Sequence, residues 1–476
     1  MTKTIGLEIH VQLATRTKMF CSCRLTFGDE PNSHVCPVCL ALPGALPTLN
    51  AEAVRLAVRL ALALGAEVHP VSEFSRKNYF YPDLPKAYQI TQFDRPLASG
   101  GAIPVVTASG PRVVRLTRAH IEEDAGKSMH AADITAGGET LIDFNRCGAP
   151  LIEIVSEPDM SSGDEAYEFL RNLRRLVRWL GVSSGDMEKG ALRCDVNVSV
   201  SPDPARRGTK VEVKNLNSLR SVKRAIDFEV DRQTACLEHG ESIASETRHF
   251  DELLGTTAAM RSKEESNDYR YFPEPDLPLL RLEPQHLREV MNGMPELPWA
   301  MQARFQQEFG LTAYDAALLT EERTTAEFFQ QTAALYGNPR KAAAYIGSEV
   351  LRLLNERAVT IGETKLTPDA LATLLQLVEN GTISNTASKD VLPLLVDRGM
   401  SPADAVRELG LEQVSDSSAL EDMAREVMAE NPVQVGQFLA GKDTVLAFLV
   451  GQLMKKSRGK ANPKLAGDIL RTLLKP

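Results

Sequence analysis

The sequence predicts an α+β protein in which a sheet-rich N-terminal region is followed by two all-helical regions. Up to about residue 290, alternating apolar and polar stretches are interleaved with helical patterns and many Gly and Pro residues, which favours an antiparallel sheet with helices packed on it. After the proline-rich passage "FPEPDLPLLRLEPQ", Ala, Leu, Glu and Arg recur at helical spacing, which indicates helices. A further break falls within 397–416. We therefore place the three regions at 1–290, 291–405 and 406–476.

The first predicted strand is "KTIGLEIHVQL". Its alternation places Ile5, Leu7 and Ile9 on an apolar face, which should enter the core, and Glu8 and His10 on the opposite face. The carboxylate and the imidazole would then lie about 7 Å apart along the strand. A single pair of this kind is usually an ordinary polar surface, so its meaning depends on whether other strands repeat the pattern.

Four of the seven cysteines lie in the stretch "CSCRLTFGDEPNSHVCPVC". They are Cys21, Cys23, Cys36 and Cys39, two close pairs separated by a loop of twelve residues, and this spacing lets four thiolates converge on zinc. Four sulfur ligands leave no open coordination position for water or substrate, so we expect a structural zinc clip. The alternatives are an accidental cluster of free cysteines, or a site in which His34 replaces one sulfur.

Two helices of the first region carry clear start signals. Asn50 can cap "AEAVRLAVRLALAL", and Gly65 lies just beyond the end of that helix. Ser162 and Glu165 form a predicted capping box at the start of "GDEAYEFLRNLRRLVRWL".

Three later strand-like stretches also present polar side chains on one face, which strengthens the case for a functional surface. Glu153 is flanked by Ile152 and Ile154, so we expect its carboxylate to be half buried and to need a partner. The pattern predicts a ligand lying across the exposed face of an antiparallel sheet. The polar residues are His120, Glu122, Glu123 and Asp124 in the first stretch, Asp143, Asn145, Glu153 and Glu157 in the second, and Arg193, Asp195, Asn197 and Ser199 in the third.

Converging carboxylates suit a hard divalent cation, and Mg²⁺ typically bridges one or two carboxylates to phosphate oxygens. The stretch "SRKNYFYPDLPKAYQI" could supply cations for phosphate oxygens and tyrosines that stack on a base. Enzymes that transfer a phosphoryl group from a nucleotide typically use magnesium together with such cations. The residues concerned are Arg76, Lys77, Lys86, Tyr79, Tyr81 and Tyr88.

Charge and hydropathy restrict the partners. The net charge is −9, so a nucleic acid would have to be held by a local basic patch. The stretch from residue 442 onward is basic, with eight Lys or Arg residues against two acids, although such a tail is often only a solvated surface. The N-terminus lacks the apolar core of a signal peptide, and the most apolar helical stretch is too short to span a bilayer. We expect a cytoplasmic protein without a membrane partner.

The sequence resembles the B subunit of the aspartyl/glutamyl-tRNA(Asn/Gln) amidotransferase family along essentially its whole length. No room exists between "PEPDLPLL" and "MPELPWA" for the insertion of the archaeal sister subunit, which favours the bacterial type. The motifs that carry the resemblance, in the family's order, are "GLEIHVQL", "FGDEPNSHVCPVCLALPGALPTLN", "RKNYFYPDLPKAYQI", "HIEEDAGKS", "DFNRCGAPLIEIVSEPD", "LRCDVNVSV", "VEVKNLNS", "DYRYFPEPDL" and "FLVGQLMKKSRGKANPKL".

The resemblance implies an ATP-dependent ligase that works as a heterotrimer. This chain would use ATP and Mg²⁺ to phosphorylate the side-chain carboxylate of Glu-tRNA(Gln), Asp-tRNA(Asn) or both. An amidase, which is the A subunit, would supply ammonia from glutamine, and a small C subunit would tie the other two together. A non-discriminating aminoacyl-tRNA synthetase is a further expected partner. The fold would be a cradle-like catalytic domain, a helical domain and a small YqeY-like domain that binds tRNA.

Carried over residue by residue, the resemblance assigns catalysis to Glu8, His10, Glu122, Glu123 and Glu153. It assigns magnesium to Glu8, His10, Glu123 and Glu153, and contacts with ATP or substrate to Lys77, Tyr81 and Asn145. Some family members lack the cysteine quartet, which agrees with a structural role for zinc.

Two other kinds of function compete with this prediction. One is a non-catalytic zinc-containing RNA-binding protein with purely structural carboxylates. Paired acids on several strands argue against it, because an RNA-binding groove would not be lined with negative charge. The other is a zinc hydrolase, which the closed thiolate site disfavours.

Overall fold

The computed structural model describes residues 1–130, 140–260, 268–411, 417–457, 461 and 463–474. The chain divides into two compact units, Met1–Leu297 and Pro298–Pro476. The first unit is sheet-rich, and the described part of the second is helical, so the predicted α+β class is confirmed.

In its described ranges, 1–130, 140–260 and 268–297, the first unit contains seventeen strands and four helices. The strands are β1 (Thr2–Gln12), β2 (Glu67–Val68), β3 (Val71–Ser72), β4 (Ser75–Asn78), β5 (Tyr88–Thr91), β6 (Ala98–Ser99), β7 (Ala102–Thr107), β8 (Gly110–Glu123), β9 (Lys127–His130), β10 (Thr140–Asp143), β11 (Pro150–Ser156), β12 (Leu192–Ser201), β13 (Val211–Lys214), β14 (Thr247–Asp251), β15 (Thr256–Ala259), β16 (Phe272–Pro273) and β17 (Leu280–Arg281). The helices are α1 (Ala51–Ala63), α2 (Gly163–Trp179), α3 (Leu219–Glu238) and α4 (Pro284–Asn292).

One large sheet organises this unit. Within the described residues it has ten strands in the order β15-β14-β13-β12-β1-β11-β8-β6-β2, with β7 paired to β8 beside this path. Its pairs are antiparallel, as predicted, except for β13 and β14, which run parallel. The exception arises because α3 crosses over between these two strands, and such a crossover returns the chain in the same direction.

The first predicted strand occupies the middle of this sheet. β1 lies between β11 and β12, and its apolar residues Ile5, Leu7 and Ile9 are fully buried. The alternation of this strand is therefore confirmed. Helices α1, α2 and α3 pack against β8, β7 and β12.

The helix starts largely follow the sequence. The Asn50 side chain accepts hydrogen bonds from the backbone N–H groups of Glu52 and Ala53 and caps α1. At α2 the predicted capping box is only half correct: Ser162 accepts from the Glu165 N–H at 3.2 Å, but the Glu165 carboxylate accepts from the N–H of Ser161 at 2.7 Å. The Glu165 carboxylate thus bonds to the residue before the cap rather than to the cap itself, and its other oxygen is paired with Arg112.

The second compact unit begins at Pro298, and 293–297 is attached to the first unit. The predicted domain boundary between 290 and 291 stays a prediction. Arg59 donates to the Gly293 carbonyl at 2.8 Å, and Trp179 donates to the Glu296 carbonyl at 2.9 Å. The helices of the second unit are α5 (Pro298–Phe309), α6 (Ala313–Leu319), α7 (Arg323–Tyr336), α8 (Pro339–Tyr345), α9 (Leu351–Arg357), α10 (Pro368–Glu379), α11 (Asn385–Arg398), α12 (Pro402–Glu408), α13 (Ser417–Glu430), α14 (Pro432–Leu439), α15 (Val445–Lys456) and α16 (Pro463–Leu474).

The predicted third region has a hydrophobic cluster of its own. Leu420, Leu449, Leu453 and Leu470 are fully buried members of a cluster drawn from α13, α15 and α16. This cluster is consistent with a separate tail, but the boundary at 405/406 stays a prediction. Part of the basic stretch, namely Arg458, Lys460 and Lys475, lies outside the described residues.

No helix in the described ranges combines the length and the apolar character needed to cross a bilayer.

We expect Asn50→Ala to loosen α1. The amide of this side chain also donates to the carbonyl groups of Thr17 and Lys18, so its loss removes the cap and the tie to the preceding loop. The loss of an N-cap typically costs about 1–2 kcal/mol, which corresponds to roughly 5- to 30-fold faster amide hydrogen exchange in α1. Asn292→Ala, at an exposed position at the end of α4, is the control. Equal α1 exchange in both variants would contradict the capping role.

Candidate active site

The candidate site lies on the polar face of the large sheet, where four adjacent strands bring their functional residues into one row. The register places His10 of β1 opposite Glu153 of β11, and Glu153 opposite His120 of β8. On the other side of β1, Arg193 of β12 lies opposite His10. Residues from distant parts of the chain therefore meet because of the strand pairing.

Two histidines and two glutamates form the centre of this row. The Nε2 atom of His10 lies 3.2 Å from Glu122 Oε1 and 3.3 Å from Glu153 Oε2. The Nε2 atom of His120 lies 3.4 Å from Glu153 Oε2 and 3.7 Å from Glu122 Oε2. Thr91 of β5 also donates to Glu122 Oε2 at 3.1 Å. We call His10, His120, Glu122 and Glu153 the acid–histidine cluster.

The electrostatics of the acid–histidine cluster favour charged groups despite its burial. Burial alone would lower the pKa of His10, but hydrogen bonds to Glu122 and Glu153 and their negative charges raise the pKa to about 10. Burial would raise the pKa of Glu153, but hydrogen bonds from His10 and His120 lower this pKa to about 2. The same two histidines hold the pKa of Glu122 well below its usual range. The cluster therefore holds two carboxylates at neutral pH.

Glu8 lies beside the acid–histidine cluster and completes a possible metal site. Burial, followed by the negative charge of Glu153, raises the pKa of Glu8. One ligand atom from each of Glu8, His10 and Glu153 lies within 4.8 Å of the others, and the same is true of His120, Glu122 and Glu153. The two groups share Glu153. Carboxylate oxygens are the ligands that Mg²⁺ prefers, so the carboxylates of Glu8, Glu153 and Glu122 suit magnesium on either side of that shared residue.

The structure places Glu123 outside this group, contrary to its expected position among the magnesium ligands. Its side chain points away from Glu122, where it pairs with the buried ammonium of Lys86 and accepts from the backbone N–H of Ile90 at 3.0 Å. Adjacent residues of a strand face opposite sides of the sheet. Glu122 therefore faces His10 and His120, whereas Glu123 faces Lys86, and the assignment of Glu123 to magnesium stays a prediction.

Lys77 is the cation best placed to meet a ligand at the acid–histidine cluster. Its ammonium lies 4.8 Å from the centre of the Tyr269 ring. Burial would lower the pKa of Lys77, but the negative charges of Glu122 and Glu153 raise it. A cleft of about 1110 Å³ opens beside Lys77, and Tyr79, Tyr81 and Tyr269 line it. Lys77 and Tyr81 thus lie where a ligand could enter.

The other two cations of the same stretch are already paired within the protein. Arg76 forms two hydrogen bonds of 2.8 Å to the carboxylate of Glu274 and lies 4.2 Å from the centre of the Tyr88 ring. Lys86 is paired with Glu123. The expectation that Arg76 and Lys86 are available for phosphate is therefore not supported, because each already has a carboxylate partner.

Asn145 does not face the cleft as its expected contact with ATP or substrate would require. Its side-chain oxygen accepts from the backbone N–H of His34 at 2.8 Å, and its amide donates to the carbonyl of Glu30 at 2.8 Å. Both ends of the side chain hold the cysteine loop. The role that fits this geometry is to fix that loop against the chain segment before β11.

The four predicted zinc ligands converge. The sulfur atoms of Cys21, Cys23, Cys36 and Cys39 all lie within 4.8 Å of one another, and none of them is in a disulfide. A hydrogen bond from Cys21 is the main cause that lowers the pKa of Cys39 to about 4, and the ammonium of Lys18 adds to this effect. Four thiols around one point, one of them readily ionised, fit a tetrahedral zinc ion.

Comparisons with known proteins agree with this geometry. A family model described as the GatB/GatE catalytic domain matches residues 3–288, and another described as the GatB domain matches residues 327–474. A curated relative from Persephonella marina, named as the B subunit of the aspartyl/glutamyl-tRNA(Asn/Gln) amidotransferase, is 47% identical over 473 residues, which is 99% of each chain. Proteins of the same name from Solidesulfovibrio magneticus and Thermotoga maritima are each 48% identical, over 99% of this chain and 98% of theirs.

The chain belongs to the family of aspartyl/glutamyl-tRNA(Asn/Gln) amidotransferase B subunits. Within this B-subunit family, the catalytic-domain match covers the sheet and both residue clusters. The second match starts within α7 and continues through α16, so it joins parts of the second and third predicted regions.

The sequence patterns alone assign no role to four residues of this B subunit that lie near the acid–histidine cluster, the cleft or the cysteine cluster. His120 stands directly before the acids of its stretch, and that position alone assigns it no separate role. The two-residue period of a strand does indicate a role, because His120 lies two residues before Glu122 and therefore on the same strand face. The rings of Tyr269 and Tyr271, which lie 6.0 Å apart, come from a motif whose spacing predicts no role. Lys18 gives no signal, because nothing in its local sequence separates it from a surface lysine.

We expect the purified full-length chain to contain about one zinc ion per chain, measured by elemental analysis. Cys36→Ser should lose this zinc, because the tetrahedral set is then incomplete. Cys236→Ser, which alters a free cysteine on α3, should retain it. A zinc-free wild-type protein, or equal zinc content in the two variants, would contradict the assignment.

Proposed function

We propose that this chain is the carboxylate-activating subunit of a glutamine-dependent tRNA amidotransferase. Its substrate is a tRNA that carries Glu in place of Gln, or Asp in place of Asn. It uses ATP to phosphorylate the side-chain carboxylate of that amino acid, and ammonia then displaces the phosphate to give the amide. The reaction makes the chain part of an ATP-dependent carbon–nitrogen ligase.

The observation that carries this proposal is that Glu153 lies between Glu8 and Glu122 on one sheet face, where Glu122 and Glu153 also act on the charge of Lys77. Carboxylates that hold Mg²⁺ and a cation that meets phosphate oxygens are what phosphoryl transfer from ATP requires. A bound Mg²⁺ would neutralise charge on the transferred phosphoryl group. The names of the relatives supply the acceptor, an amino acid esterified to tRNA.

The residues of this chain have distinct proposed roles. Glu8, Glu122 and Glu153 would hold the metal, with His10 and His120 fixing the direction of the two buried carboxylates through the contacts described above. Lys77 would attract the anionic substrate groups, and Tyr79, Tyr81 and Tyr269 offer ring faces and hydroxyl groups along the cleft. Phosphorylation is needed because a free carboxylate is a poor acyl donor, whereas an acyl phosphate carries a good leaving group.

The proposal also assigns partners. The relatives are named as B subunits, which supports a complex with an amidase, the A subunit, and with a small C subunit. The amidase would release ammonia from glutamine, and a sheltered path between the active sites would keep ammonia unprotonated and therefore nucleophilic. The substrate is a cytoplasmic tRNA(Gln), tRNA(Asn) or both, delivered by a non-discriminating synthetase, and residues 406–476 would contact its phosphates.

The proposed chemistry can be tested by following oxygen. Glu-tRNA(Gln) labelled with ¹⁸O in the side-chain carboxylate is given to the assembled complex with ATP, Mg²⁺ and glutamine. If the carboxylate is phosphorylated, one labelled oxygen leaves with the phosphate, so the ¹⁸O found in inorganic phosphate should match the amide formed. Amide formation with unlabelled phosphate would contradict the proposal.

We expect Glu153→Gln to lower ATP-dependent amidation by about 100-fold or more, because it removes one charge at the centre of the acid–histidine cluster. Binding of tRNA should change little, since the change is distant in sequence from the basic stretch. Glu157→Gln is the matched control: it follows the same strand, and its carboxylate contacts Thr117 instead. Equal turnover in both variants would refute the site, and a parallel loss of tRNA binding would favour a purely RNA-binding role.

Deletion of residues 410–476 should weaken tRNA binding by removing basic side chains that can contact phosphates. The fold of the first unit should be preserved, because the deleted residues belong to the second unit. Binding is measured by filter retention at two salt concentrations, and the fold by amide hydrogen exchange of β1. Unchanged affinity would show that the tail does not contact tRNA.

A further inference from the structure

Lys18 is a buried cation that the proposed reaction does not use. Its side chain is 0% exposed, although it follows β1 by only a few residues. Among the described residues, three groups contact its ammonium: the His34 carbonyl at 2.8 Å, the Phe144 carbonyl at 3.0 Å and the Cys39 sulfur at 3.6 Å. The two carbonyl groups are neutral, so the sulfur is the contact that can carry negative charge.

A buried ammonium is stable only when a negative group is close to it. A dication bound by four thiolates still leaves an excess of negative charge, and this charge would be buried together with Cys39. The ammonium of Lys18 and the cysteine cluster therefore have complementary needs. The positive charge of Lys18 offsets the negative charge of the buried thiolates, and the thiolates in turn stabilise the buried ammonium of Lys18.

Lys18 also joins the cysteine loop to the segment that precedes β11. The Phe144 carbonyl accepts from Lys18, and the Gly148 carbonyl accepts from the backbone N–H of Met19 at 2.7 Å. Gly148 has a positive φ of 83°, and a Cβ added there would lie 3.6 Å from the Lys18 stem. The stem of Lys18 thus runs along the backbone of this segment.

A second set of hydrogen bonds, made by a side chain of the cysteine loop, joins this loop to the same segment before β11. The Asn32 side chain accepts from the Phe144 N–H at 2.8 Å and donates to the Ile142 carbonyl at 3.0 Å. With the two bonds of Asn145 described above, these contacts lock residues 30–34 onto 142–145. The segment then continues through Gly148, whose N–H donates to the Asp124 carbonyl at 2.8 Å, into the strand that carries Glu153.

We propose that Lys18 is the internal counter-ion of the cysteine metal centre and that, through Lys18, metal occupancy fixes the backbone of residues 142–148. Lys18 is a positioning residue: it donates to a ligand sulfur and to a carbonyl of the segment at the same time. This inference concerns zinc and the loop alone. It needs neither ATP nor tRNA, so it can fail while the proposed reaction stands, and the reverse is also true.

The test compares full-length wild-type protein with Lys18→Met, which keeps the length of the stem and removes the charge. Zinc affinity is measured by competition with a chromophoric chelator. Loss of an outer contact to a metal ligand typically costs 10- to 100-fold in affinity, and we expect about that loss. The control is Arg24→Met, which removes an exposed cation from the same loop. Its zinc affinity should stay within about twofold of the wild-type value, which is well below the loss expected for Lys18→Met.

Cobalt substitution separates a charge effect from a packing effect. Removing a cationic donor from a thiolate raises the energy of the sulfur electrons, so the sulfur-to-cobalt charge-transfer absorption of Lys18→Met should move to longer wavelength. An unchanged spectrum with unchanged zinc affinity would overturn the counter-ion role.

Amide hydrogen exchange tests the coupling. Removing zinc from the wild type should speed exchange in 142–148 while β1 stays protected, and zinc-loaded Lys18→Met should already show the faster exchange. Exchange in 142–148 that does not respond to zinc in the wild type would overturn the coupling, and this measurement decides the point even if Lys18→Met does not fold.

Discussion

The pairing register of β1 with its two neighbours is the constraint on which the rest of the site depends. The register is held because the apolar side chains of Ile5, Leu7 and Ile9 occupy the core, and a slip by one residue would turn all of them toward solvent. The same register places His10 opposite Glu153. The hydrophobic core on one side of the sheet thus determines which groups meet on the other side.

A second constraint is the need to balance buried negative charge. Glu122 and Glu153 are matched by two histidines on the ligand face, while Glu123 behind them is matched by Lys86. At the cysteine loop, Lys18 meets the sulfur cluster in the same way. The three arrangements surround the end of β8 and the start of β11. Their charges explain why cations are buried in this part of the first unit.

Sequence periodicity predicted the polar face of the site, because the side chains of a strand alternate between its two faces. The periodicity correctly placed Glu8 and His10 on the polar face of β1. The spacing of the cysteines correctly predicted that their four sulfur atoms lie close together. The periodicity could not choose between Glu122 and Glu123. The pairing of β11 with β8 shifts after Val155, since Val155 lies opposite Arg118 and Ser156 lies opposite Leu116, and such a bulge exchanges the two faces of a strand. The alternation seen before the bulge therefore does not apply after it.

Other features depended on distant partners and carried no local signal. Asn145 and Lys18 are fixed by contacts with residues more than a hundred positions away, and the parallel pair of β13 and β14 follows from the path of α3. The proposed chemistry requires Glu8, Glu122 and Glu153 to bind a divalent cation together. A crystal soaked with Mn²⁺ and a non-hydrolysable ATP analogue tests it most directly. We expect an anomalous scattering peak bounded by these three carboxylates. A peak elsewhere, with these carboxylates free of metal, would show that they do not bind the cation.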